Sequence, residues 1–78
     1  MNIVDIRMPD RKTKYRRRVM YELFMGMNIK TARFVVEDND YANIHTAYYS
    51  LRQGIEMYKL PIKINRVHDD IYMIRTDF

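Results

Sequence analysis

The chain has no cysteine and no tryptophan, and only two glycines and two prolines among its 78 residues. Without cysteine there is no disulfide staple and no thiolate metal site, so a small core must hold itself together or find a partner. So little Gly and Pro excludes a collagen-like or low-complexity chain. The apolar runs are a few residues long, too short to span a bilayer. The opening MNIVDIRMPD lacks the basic-then-apolar layout of a signal peptide, so a cytoplasmic location is expected. There is no Gly-rich phosphate loop, nucleophile-elbow serine or zincin motif. The acidic pairs Glu37-Asp38 and Asp69-Asp70 sit in turn-like stretches, where neighbouring carboxylates point apart. No enzyme is expected. His45 and His68 are the only histidines, with no third strong ligand at a diagnostic spacing, so neither a metal nor a cofactor is expected.

What is present is a globular composition: 47% apolar and 31% charged residues. A chain this short forms one domain and buries roughly 60–65% of its unfolded surface. The net charge of +4 is uneven. Residues 1–34 carry nine Lys or Arg against three Asp or Glu, a balance of +6; residues 35–58 balance to −3 and residues 59–78 to +1. The stretch RKTKYRRR, Arg11–Arg18, places six cations in eight positions. A phosphate backbone is the commonest partner for such a cluster, through counterion release. An acidic protein surface would also attract it, and a solvated helix face is the plain alternative.

Along the chain, Val4, Ile6 and Met8 alternate with polar residues and predict a short strand or arm over residues 1–9. Pro9 breaks the pattern and Asp10 is a good helix N-cap. Tyr15, Val19, Met20, Leu23, Phe24 and Met27 then recur at helical spacing, with Gly26 as a stop. Asn28 can cap a second helix from Ile29 to Val36, on Ile29, Ala32, Val35 and Val36, although Val35-Val36 also suits a strand. A polar turn, Glu37–Asp40, precedes a third helix from Tyr41 to Tyr58, with Ile44, Ala47, Tyr48, Leu51, Ile55 and Tyr58 on its apolar side. Its opposite side presents Thr46, Tyr49 and Gln53. Pro61 ends it. Ile62–Ile64 and Ile71–Ile74 read as two strands of a hairpin around Arg66–Asp70. Residues 76–78 form a tail.

This order, with YANIHTAYYSLRQGIEMYKLPIKINRVHDDIYMIRT as its second half, resembles a winged helix-turn-helix domain over residues 10–75. The resemblance implies a mainly α fold of three helices plus a hairpin wing, of the size of small phage-type regulators. It also implies a DNA-binding transcriptional regulator whose third helix enters the major groove. Carried onto this chain, Asn43, Thr46, Ser50 and Gln53 would reach base edges, and Tyr49 a sugar or phosphate. Arg16, Arg17, Lys30 and Arg33 would fix the backbone, and Lys63 and Arg66 would serve the wing. One departure is plain: the third helix carries few cations and is flanked by Glu37, Asp38, Asp40 and Glu56.

Duplex DNA is therefore the expected partner, in a bacterial or infected host cell. The alternative is a protein-interaction module, an inhibitor or adaptor docking on a host protein such as RNA polymerase or a nucleic-acid enzyme. The acidic turn and the Tyr and Met residues motivate it. RNA binding with tyrosines stacked on unpaired bases is a third reading. A homodimer is compatible with the open edge of the Asn2–Met8 strand.

Overall fold

The computed structural model describes residues 3–10, 12–37 and 40–78. Among these the element order is β1 (Val4–Ile6), α1 (Arg16–Gly26), β2 (Thr31–Phe34), α2 (Ile44–Tyr58), β3 (Ile62–Val67) and β4 (Asp70–Arg75). The strands form one sheet in the order β1-β2-β4-β3. β1 is parallel to β2, while β4 is antiparallel to both its neighbours. β1, β2 and β3 thus point one way, and the two helices return the chain between them. This is an α+β fold of two helices and a mixed four-stranded sheet. It corrects the expectation of three helices plus a wing.

The correction falls on Ile29–Val36. Thr31–Phe34 alternates half-buried and buried positions, with Ala32 and Phe34 turned to the core. A helix drawn through Ala32, Val35 and Val36 leaves Phe34 on its polar side; a strand places Ala32, Phe34 and Val36 together and Thr31 and Arg33 on the other face. The β-branched and aromatic content agrees with the strand. The N-terminal segment is not a free arm: Val4 and Ile6 lie in register with Ala32 and Phe34, and Val35 N–H donates to the Ile6 carbonyl. Met1 and Asn2, with Arg11, Asp38 and Asn39 of the expected first helix and polar turn, lie outside the described residues. The hairpin is present, with a tighter turn than expected. β3 and β4 are joined by His68-Asp69 alone, with His68 in the left-handed region at φ 55°. The tail is fastened too. Arg75 donates to the Met25 carbonyl at 2.9 Å and grips Asp77 with two bonds of 3.0 Å, and Thr76 N–H donates to the Pro61 carbonyl.

The core lies between the helices and one face of the sheet. Met20, Tyr21 and Phe24 come from α1, and Ala47, Leu51 and Ile55 from α2. Ile6, Ala32, Phe34, Ile62, Ile71 and Met73 come from the strands. Each large side chain among them contributes about 1.5–3 kcal/mol of burial. The expected apolar stripe of α2 is the one that packs. The stripe of α1 is rotated: Leu23 is 53% exposed and Tyr21 is buried in its place. The N-cap expected at Asp10 shifts as well. The Asp10 carboxylate accepts from Lys12 N–H in a turn before α1, and α2 is capped by Asn43, which accepts from Thr46 N–H at 2.9 Å. Gly26 closes the last turn of α1, while Asn28, at φ 55°, takes the left-handed position.

The helices meet at Gly54. A Cβ there would lie 2.5 Å from the Tyr21 hydroxyl and 2.7 Å from Arg17 Nε. That hydroxyl donates to the Leu51 carbonyl at 2.7 Å. Burial pushes the Tyr21 phenol well above its ordinary range, against the pull of Arg17.

Gly54→Ala is therefore expected to destabilise the protein by about 1–3 kcal/mol, despite alanine's better helix propensity. In a Tyr21→Phe background the loss should shrink, as urea unfolding of the double-mutant cycle will show. The raised phenol gives a second expectation. Its contribution is complete below the ordinary tyrosine value and is lost as pH rises above about 10, where the unfolded chain ionises first. Tyr21→Phe should lose about 1 kcal/mol at neutral pH and flatten that alkaline loss.

Candidate nucleic-acid interface

The first turn of α1 is built against normal electrostatics. A helix start carries partial positive charge and unsatisfied N–H groups, and usually gains an acidic or hydroxyl cap. Here Tyr15 occupies the cap without a side-chain bond, no acid lies in the first turn, and Arg16, Arg17 and Arg18 follow. Tyr15 sits in the left-handed region at φ 56°, costly for a bulky aromatic, and its side chain is 66% exposed. Lys14 Nζ stands 5.5 Å from its ring centre.

The three arginines have different fates. Arg16 turns inward: Nε and Nη2 donate to the Pro9 carbonyl at 2.9 and 2.7 Å, and Nη2 reaches the Asp40 carboxylate at 2.6 Å. Asp40 is only 7% exposed, so this pair joins the two loops above the sheet. Arg17 crosses to α2 and donates to the Ser50 carbonyl at 2.8 Å and to its Oγ at 3.3 Å. The Tyr41 and Ser50 hydroxyls share a bond of 3.2 Å. Arg18 points to solvent and touches exposed Glu22 at 3.4 Å. Among the described residues, no carboxylate lies within 4 Å of Lys12, Lys14 or Arg17.

Thr46, Tyr49 and Gln53 are exposed on α2 as expected. Thr46, Ser50, Gln53 and Met57 follow 4-3-4 spacing, so they form one stripe, on the side that Arg17 meets at Ser50. Tyr49 lies on the next stripe, with its ring 4.7 Å from His45 and 5.6 Å from Tyr48. Asn43 is occupied as the cap. The other expected contacts are dispersed. Arg33 lies on the uncovered face of the sheet, bidentate to Asp5 at 2.9 Å and 3.7 Å from Asp70. Arg33 holds the Asp5 carboxyl below its usual value. Lys63 shares that uncovered face by alternation along β3. Lys30 is exposed at the opposite end of the molecule, where its carbonyl accepts from Arg75 N–H. Arg66 Nη1 sits 3.4 Å from His45 Nδ1, near the hairpin turn.

The structure thus brings Arg16, Arg17 and Ser50 together beside Thr46 and Gln53, and separates Arg33, Lys63, Lys30 and Arg66 from them. Lys12, Lys14 and Arg18, the exposed cations at this helix start, were not singled out by the sequence. The charge cluster was visible there, but which of its members face outward depends on the turn before α1 and on the phase of α1 itself. Among the described residues there is no group of three His, Asp or Glu that could hold a metal ion, and no helix long and apolar enough to cross a membrane.

The Arg16–Asp40 pair gives a direct test. Asp40→Ala strands a half-buried guanidinium and should cost about 2 kcal/mol in chemical unfolding. Exposed Asp77→Ala should cost much less. Comparisons with protein families, characterised proteins and solved structures find no match to this chain.

Proposed function

We propose that this protein binds nucleic acid through the phosphate backbone, with duplex DNA as its ligand, and acts as a small regulator rather than an enzyme. The observation that carries the reading is the helix start just described. Lys12, Lys14 and Arg18 are exposed there, and the positive end of α1 adds to their field. Phosphates are the ligands such a surface favours, and these contacts position without reading sequence. The adjoining stripe of Thr46 and Gln53 offers hydrogen-bonding groups for base edges. The docking follows from this helix layer and not from a wing. A cytoplasmic location in a bacterial or infected host cell goes with the reading.

A protein partner is the second reading. Leu23 and Met57, 53% and 55% exposed, and the exposed Met27 favour it. These side chains lie apart from the basic turn and would make an apolar contact with little salt dependence.

The two part in a salt titration of duplex binding. Three phosphate contacts predict a log–log slope of about −3. Replacing Lys12, Lys14 and Arg18 together by Gln should bring that slope towards zero and weaken low-salt binding by at least tenfold. Millimolar affinity at low salt, or no weakening as salt rises, rejects the nucleic-acid reading.

A further inference from the structure

Two hollows lie side by side in the cleft between α1 and α2. The smaller, of about 340 Å³, is lined by Arg16, Arg17, Arg18 and Ser50, with Tyr15 and Tyr41 at its edges. The larger, of about 500 Å³, is lined by Tyr21, Tyr58, Met25 and Leu60 together with Arg18 and Glu22. Arg18 and Tyr58 belong to both. We propose that this double hollow takes one unpaired nucleotide, with its phosphate among Arg17, Arg18 and Ser50 and its base against Tyr58, Met25 and Leu60.

The argument rests on the mismatch between the two chambers. Small-ligand sites run from about 300 to 1,000 Å³, so each chamber admits one chemical group and neither admits a stacked duplex. The basic chamber has an uncompensated charge. Arg16 is matched by Asp40, but Arg17 makes its bonds to a neutral carbonyl and hydroxyl, and Arg18 has only the exposed Glu22. An anion entering there meets the Arg17 guanidinium, held by its bonds to Ser50, and the exposed Arg18 beside it, planar donors of the kind that suit phosphate. The second chamber is mainly apolar and aromatic, and Glu22 in its lining repels a second phosphate. The pair therefore selects a ligand that is anionic at one end and flat and apolar at the other. A nucleotide has that form, and base–aromatic stacking tolerates any base. The ligand class is taken from the nucleic-acid reading above. Its consequence within that reading is that a single-stranded overhang binds more tightly than a blunt duplex, because a paired base cannot enter.

The test is a titration of the full chain with deoxyadenosine monophosphate, deoxyadenosine and inorganic phosphate, followed by NMR at the backbone and tyrosine ring signals. The expected result is saturable shifts at Arg17, Arg18, Ser50 and Tyr58 with the monophosphate, at least tenfold weaker with either fragment. Arg18→Ala, at an exposed helix position, should weaken the monophosphate about tenfold and deoxyadenosine much less. Absence of saturable shifts, equal binding of inorganic phosphate, or indifference to Arg18→Ala overturns the proposal. Salt-dependent duplex binding without mononucleotide binding would sink this inference alone; the reverse would sink the backbone reading alone.

Discussion

The close approach of the two helices at Gly54 is the constraint on which the rest of the molecule depends. The absent side chain lets the Tyr21 ring lie against α2 and end its hydroxyl on the Leu51 carbonyl. It also lets Arg17 extend over the same gap to Ser50. Two polar groups thus cross an otherwise apolar seam, each with a partner, and among the described residues no buried side-chain polar atom is left unsatisfied. With the helices fixed by this seam, α1 and α2 cover one face of the sheet, and the buried residues of all four strands have something to pack against.

The same seam sorts the cations. Among the described cations of the basic run, Arg16 is matched by a carboxylate, while Arg17 is held by neutral groups and keeps its charge unmatched. Arg16 is bound by the loops and Arg17 by α2, and among the described residues of the run Lys12, Lys14 and Arg18 lie at the surface. On the other side of the sheet, Arg33 is matched by Asp5 and Asp70, while Lys63 on the same face has no carboxylate within 4 Å among the described residues.

The helices and the hairpin were legible because their patterns are regular. α2 repeats its apolar residues over four turns, and Ile62–Ile64 and Ile71–Ile74 flank a polar turn. The stretch from Ile29 to Val36 was not. Its few apolar residues satisfy two periods at once, and only pairing with Val4–Ile6 and Ile71–Ile74 decides between them. That information is tertiary, and a local pattern does not hold it. Reading the stretch as a helix turned a βαβ unit into a three-helix array, and the winged-helix resemblance followed from it. At the site, the exposed Thr46, Tyr49 and Gln53 were legible from the phase of α2. The inward turn of Arg16 and Arg17 was not, because their partners Asp40 and Ser50 lie 24 and 33 residues away.

The strand order has a consequence for how the chain acquires its shape. β4, which follows the other three strands in chain order, lies inside the sheet between β2 and β3, and it supplies Ile71 and Met73, both fully buried. Until it leaves the ribosome, β2 has one open side and β3 has no neighbour at all. The nascent chain must then carry its helices and an incomplete apolar layer until the end of this segment is released. Folding is thereby deferred until after translation of the segment, and early termination before Ile71 would remove the keystone rather than a fringe.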